Sequence, residues 1–180
     1  MDFDVIDVPY ISQWDADAHL ARGDCGIVSA CMIARWLGIE TSPDAMLGLA
    51  GLPVGKLTYT VMEIIRAAAA VGVTLSPVRP AVWSTIQREL QAGRPSITLL
   101  RYGGLSGNQD DGDFAHFWVN VGFEDEDVIV NDPNFWGARR DEGMKRRVRL
   151  IEYEKAIGDA LNFTGNMSYQ SLFLARSEEL

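Results

Sequence analysis

Gly23-Asp24-Cys25-Gly26, running straight into Ile27-Val28-Ser29-Ala30-Cys31-Met32-Ile33-Ala34-Arg35-Trp36-Leu37, is the stretch on which the fold turns. The apolar run predicts a helix over 25–37, with Gly38 as the glycine that ends it. A cysteine between glycines at a helix mouth is poor core material and a good nucleophile. The first turn leaves backbone N–H groups unpaired and carries partial positive charge, and both favour thiolate over thiol. Gly26 is expected to leave open space beside the sulfur for a substrate carbonyl. Cys31, inside the apolar run, reads as a buried structural thiol. On one helix the two cysteines lie about 9 Å apart along the axis, beyond the roughly 7 Å reach of a disulfide.

Outward from that helix, residues Val5 to Gln13 read as a short strand, with Pro9 suited to an edge or strand end. Trp14 to Gly23 reads as a polar loop carrying His19. Ser42-Pro43 opens a short helix over 43–49, with proline at the first helical position. Thr58 is the expected N-cap of a helix over 59–71. A short strand over 73–77 and a helix over 81–91 follow. The second half changes character. Strands are expected over 95–102, 115–123 and 127–131, the last two joined as a hairpin through Glu124-Asp125-Glu126. A strand over 145–150, a helix over 151–161 and a strand over 169–175 complete the chain. Helices first and an antiparallel sheet second predict an α+β fold. With no linker, repeat or low-complexity tract, residues 1–180 read as a single domain.

Composition narrows the function classes. The chain has 180 residues, 47% of them hydrophobic, which suits a globular protein with a real core. Its net charge of −9 argues against nucleic acid and predicts repulsion from anionic membrane or wall surfaces. No apolar run approaches the roughly 20 residues of a membrane helix, so no membrane insertion is expected. Met1-Asp2-Phe3-Asp4 lacks the basic and apolar regions of a secretory signal, so the expectation is a chain made in the cytoplasm that needs another agent to reach the outside. No His/Cys cluster has zinc spacing, and Asn108-Gln109-Asp110-Asp111-Gly112-Asp113 lacks the glycine and bidentate glutamate of a calcium loop, so no metal or other cofactor is expected. That segment reads as a mobile loop beside His116.

A thiol nucleophile needs a base, an orienting group and an oxyanion site. There are two histidines. His19 reads as a solvated loop residue. His116, in Asp113-Phe114-Ala115-His116-Phe117-Trp118-Val119, has bulky neighbours able to fix its ring and exclude water. The hairpin brings Asp132, at the end of one strand, near His116 at the start of the other; Asn131 is the fallback orienter. For the oxyanion, the Cys25 backbone N–H is one donor and the amide of Gln13 the second, since the carboxylates of Asp15 and Asp24 would repel it. The run Arg139 to Arg149, interleaved with Asp141 and Glu142, reads as a solvated face. Trp14, Trp118 and Trp136 are candidates for lining a substrate groove, although a tryptophan in such a position is more often core.

These residues carry a resemblance. Val8-Pro9-Tyr10-Ile11-Ser12-Gln13, then Asp24-Cys25-Gly26, Gly93-Arg94-Pro95, His116-Phe117-Trp118-Val119 and Asn131-Asp132-Pro133, in that order, resemble papain-like cysteine peptidases of the bacteriocin-processing, double-glycine leader type. The resemblance implies a papain-like fold, an N-terminal helical lobe whose nucleophile helix packs on a C-terminal antiparallel sheet. It also implies Cys25 as nucleophile, His116 as base, Asp132 as orienter and Gln13 as oxyanion donor. Leader-processing members are usually fused to a transporter, whereas this chain has no membrane segment. A free-standing, arginine-biased version is similar to the peptidase domain of phage lysins (lysin A type), which cut peptidoglycan peptides after a holin releases them. The leading expectation is therefore a cell-wall endopeptidase of the endolysin kind, with a separate wall-binding domain or protein to target it. The alternatives are a leader-peptide or protein-processing peptidase, a cysteine amidase or acyltransferase, and a non-catalytic peptide-binding papain-like domain.

Overall fold

A computed structural model describes residues 4–15, 23–78, 82–164 and 171–174. Its elements are α1 (Cys25–Trp36), α2 (Pro43–Leu49), α3 (Val61–Ala70), β1 (Leu75–Val78), α4 (Trp83–Gln91), β2 (Ser96–Arg101), β3 (Ala115–Glu124), β4 (Asp127–Asn131), β5 (Arg146–Arg149), α5 (Leu150–Thr164) and β6 (Ser171–Leu174). Short 3-10 turns occupy Tyr102–Gly104 and Gly137–Gly143. The strands form one antiparallel sheet in the order β1-β6-β2-β3-β4-β5. The expected α+β, papain-like arrangement of a nucleophile helix on an antiparallel sheet is what the chain adopts.

Local chemistry accounts for most of the element ends. Ser42 caps α2, accepting from the Ala45 N–H at 3.2 Å, with Pro43 behind it. The cap of α3 is Thr60 rather than the expected Thr58. Its hydroxyl accepts from the Glu63 N–H while Glu63 reaches back to the Thr60 N–H, a reciprocal capping box. The signature Thr60-Val61-Met62-Glu63 is present in the sequence and settles that boundary.

The β3–β4 hairpin turns at Asp125, which takes the left-handed region at φ 52°. The segment 5–13 is extended but forms no strand. Ile6 donates to the Val121 carbonyl, after which the Val8 N–H turns back to the carbonyl of Ile6 and Pro9 has no N–H to offer. It is a strap laid along the sheet rather than a ladder.

Both faces of the central strands are covered. On one side α1, α2 and α3 pack on Ile97, Leu99, Phe117, Val119 and Ile129. On the other, α4 and α5 pack on Leu100, Trp118, Val128, Val130 and Val148. Trp118 is therefore core, stacked on Tyr153 with ring centroids 5.7 Å apart, and is not a groove residue. Helix α1 is buried continuously from Gly26 to Ala34. A side chain at Gly26 would run into Ile64 of α3 and approach Phe117 Cδ2 to 3.1 Å. Gly26 thus serves the packing of α1 and does not open space beside the sulfur.

Candidate active site

Packing of α1 across the sheet delivers its first residue, Cys25, half-buried, to the end of the sheet where β3 begins. Gly23, two residues before Cys25, lies against the carbonyl of Leu57, where any side chain would collide with backbone. The 57–59 segment is thereby set beside the nucleophile. A cleft of about 330 Å³ opens there, walled by Cys25, His116 and Gln13 and by the apolar faces of Tyr59, Leu99 and Phe117.

His116, the second residue of β3, is 1% exposed. Its Nε2 lies 2.8 Å from Asp132 Oδ1, which leaves Nδ1 for the sulfur of Cys25, the ring's other hydrogen-bond partner. Tyr102 and Phe114 pack edge-on to the imidazole, with centroids 4.8 and 5.9 Å away. Burial alone would pull the His116 pKa down. The Asp132 carboxylate and the Cys25 sulfur outweigh it and raise the value to about 9.

Asp132 is fully buried and saturated with donors. Oδ1 accepts from His116 and from the Asn134 N–H at 3.0 Å. Oδ2 accepts from Arg146 Nη1 at 2.5 Å and from the Tyr102 hydroxyl at 3.3 Å. The Tyr10 hydroxyl donates to the Asp132 carbonyl at 2.9 Å, and the Asp132 N–H to the carbonyl of Gly143 at 2.8 Å. Burial pushes this carboxyl up, but His116 and Arg146 together hold it below the ordinary aspartate range. Asn131, the fallback orienter, points elsewhere: its amide bridges the Val8 carbonyl and the Lys145 N–H.

Gln13 is brought to the same place by the segment after Asp132. Its N–H donates to the Pro133 carbonyl at 2.9 Å, and its Nε2 lies 3.4 Å from Asn134 Oδ1. Ser12 Oγ donates to the Phe135 carbonyl at 2.5 Å, and Trp14 Nε1 to Asn134 Oδ1 at 3.1 Å. Asp15 closes the turn with a two-pronged pair to Arg140, at 2.7 and 2.5 Å. Trp14 and Trp136 meet beside it, ring centroids 4.6 Å apart.

The four predicted residues Cys25, His116, Asp132 and Gln13 converge, and His19 lies outside the described residues. Three groups of the site were missed in the sequence: Arg146, Asn134 and Tyr102. Asn134 had a signal, standing two residues beyond Asp132; Arg146 had none, being one of several arginines in a basic run. That run is no simple solvated face, because Arg140 holds the Gln13 turn and Arg146 is buried. The 108–113 segment is also tied down, through Asn108 to the Tyr102 carbonyl and to Arg146, and through Asp113 to Arg101. Among the described residues no group of His, Cys, Asp and Glu could hold a metal ion, and no helix is long and apolar enough to cross a membrane.

A buried carboxylate–imidazole pair facing a helix-mouth thiol, with an amide side chain lining the same cleft, is equipped for acyl transfer. The profile of the Peptidase_C39-like family matches residues 5–160. The chain belongs to that family. Solved structures show the same fold at low identity. A C39-like peptidase from Bacillus anthracis is 18% identical, with 98% of this chain and 100% of that one covered, at a TM-score of 0.64. The peptidase domain of Streptococcus ComA, a bifunctional ABC transporter involved in quorum sensing, is 18% identical over 94% of this chain and 99% of that one, at 0.60. A double-glycine-motif protease from an AMS/PCAT transporter, solved with its leader peptide, is 17% identical over 94% and 91%, at 0.58. No curated protein matches the sequence. None of these three likenesses is to a lysin, so the cell-wall substrate expected from the sequence draws no support from them.

Proposed function

We propose that the chain is a cysteine peptidase that processes a leader peptide or another protein segment. The observation that carries the proposal is the buried contact of 2.8 Å between His116 Nε2 and Asp132 Oδ1, which turns the other ring nitrogen to Cys25. In this reading His116 takes the thiol proton and the Cys25 sulfur attacks the scissile carbonyl. The oxyanion is met by the Cys25 N–H and the Gln13 amide, and His116 gives its proton to the departing amine. Water then attacks the acyl-enzyme while His116 accepts its proton, and sulfur leaves as thiolate. Asp132 holds the tautomer throughout.

The substrate reading follows two structural relatives, a double-glycine-motif protease solved with its leader peptide and the peptidase domain of a transporter involved in quorum sensing. The joint presence of nucleophile, base and orienter in contact disfavours a domain that only binds peptides. The test is incubation of the chain with a leader peptide ending in Gly-Gly fused to a reporter, and in parallel with purified peptidoglycan, scoring new amino termini by mass spectrometry. Cleavage of the leader substrate, lost in Cys25→Ala, is the expected result. Cleavage confined to peptidoglycan would replace the substrate class, and cleavage that survives Cys25→Ala would end the proposal.

A further inference from the structure

We propose that Arg146 is the fourth member of the site, a positioning residue that acts on His116 through Asp132. This rests on the proposed roles of Cys25, His116 and Asp132. Arg146 opens β5, where it pairs with Val130 of β4, two residues before Asp132. In β5 Arg146 and Val148 face inward and Arg147 and Arg149 outward. The outward pair meets Glu124 and Glu126, as an exposed edge strand would. A guanidinium on the inward row is a different matter, since taking it out of water is costly unless its donors are met.

They are met by parts of the site. Nη1 donates to Asp132 Oδ2 at 2.5 Å; Nη2 donates to the Ser106 carbonyl and to Asn108 Oδ1, both at 2.7 Å. The guanidinium lies over the rings of Phe135 and Tyr102, at 5.2 and 6.0 Å. One planar fork therefore joins the orienting carboxylate to the segment that follows Tyr102, the ring packed against His116.

The charge order is the second argument. Sulfur, imidazole, carboxylate and guanidinium alternate in sign when Cys25 and His116 form their ion pair, so the buried set is neutral. Without Arg146 it would carry a net negative charge in an apolar setting. Asp132 would then bind the imidazolium harder, and His116 would give up its proton less readily. Among the described residues, the further groups that face this set are Tyr102 from the turn after β2, Tyr10 from the N-terminal strap, and the Asn134 N–H. Burial and the Asp132 charge raise the pKa of both tyrosines, so both stay neutral where the pair operates.

Alkylation of Cys25 in the full chain by iodoacetate, followed from pH 4 to 11 by mass spectrometry, tests this without a peptide substrate. The anionic reagent is drawn by the imidazolium beside the sulfur, so rate against pH is a bell whose alkaline limb reports His116. Arg146→Met is expected to move that limb up by about one pH unit and to lower the maximum about tenfold. Arg146→Lys keeps the charge but not the fork; its limb should stay within about 0.3 pH unit while the maximum falls about threefold. In an Asp132→Asn background Arg146→Met should add less than about a twofold change, because the path runs through the carboxylate.

An unmoved limb in Arg146→Met, or losses that multiply in the double variant, would overturn the inference. Should Arg146→Met fail to fold, Arg146→Gln carries the same limb shift, and a wild-type maximum in Arg146→Lys overturns the role of the fork. A wild-type chain with no bell refutes the Cys25–His116 pair and this inference with it. A wild-type bell with unaltered Arg146 variants refutes the inference alone.

Discussion

The helix carrying Cys25 and the strand end carrying Asp132 are fastened by different means. Around Cys25 the means is apolar: nine consecutive residues, Gly26 to Ala34, are buried, and Gly26 exists so that Ile64 and Phe117 can close on the helix. The side chain nearest the nucleophile in sequence, Asp24, is 5% exposed, with Oδ1 unpartnered and no capping bond to α1. Around Asp132 the means is polar. Four donors hold its carboxylate, two further bonds hold its backbone, and the next residues carry the turn of Gln13. An apolar wedge sets where the nucleophile stands within the tolerance of packing. A hydrogen-bonded lattice sets direction and charge, which a base and its orienter need and a sulfur atom does not.

Asp132→Asn undoes the polar fastening. Turnover should fall about 10²- to 10⁴-fold, since the tautomer of His116 is no longer held. The alkaline limb of activity, expected near pH 9 from the raised His116 pKa, should move down, because the anion that sustains the imidazolium is gone. Stability should fall by about 3 kcal/mol in urea melts, as the Arg146 charge stays buried without its partner. In the wild-type chain the raised His116 value adds stability that is complete below about pH 6.5 and is lost as pH rises through about 9.

Next in size is Gly26→Ala, which loads the apolar arm. It should cost about 1–3 kcal/mol in urea melts by forcing Ile64 and Phe117 aside. A loss of turnover with no loss of stability would instead restore an open space beside the sulfur.

A third effect, of similar size at pH 7 and absent at pH 4, has the opposite sign. Burial, with Asp44 adding to it, raises the Asp24 pKa to about 6 against an ordinary 3.8. Ionised Asp24 therefore costs stability that is absent below about pH 4 and fully felt above about pH 6. Asp24→Asn should stabilise the chain by about 1–3 kcal/mol at pH 7, with the gain vanishing at pH 4, as read from thermal melts at both pH values.

Legibility follows the same division. Helix α1 and helix α2 are readable because apolar spacing, a serine cap and a proline at the first position act within a few residues. So is the β3–β4 hairpin, and with it the approach of Asp132 to His116, since a tight turn makes strand ends neighbours. The strap 5–13 misleads for a physical reason: Val8 and Ile11 are buried as strand residues would be, but strand status needs a ladder partner, and β3 is already flanked by β2 and β4. Trp118 takes the core reading because helices cover both faces of the sheet, so the aromatic on the far side of β3 is as buried as those facing α1.

Local order is legible along the chain: the starts of α1 and α2, the hairpin turn, and Cys25, His116, Asp132 and Gln13 as the candidates for thiol chemistry. Caps, turns and apolar periods act over a few residues, so they are written where they act. Long-range packing alone makes Gly26 a packing glycine, hangs the Gln13 turn from Pro133 and Asn134, and buries Arg146, rather than Arg147 or Arg149, against Asp132. Those outcomes depend on the register of β5 against β4 and on contacts between residues more than a hundred positions apart, where a one-residue slip would turn every side chain of the strand to the other face.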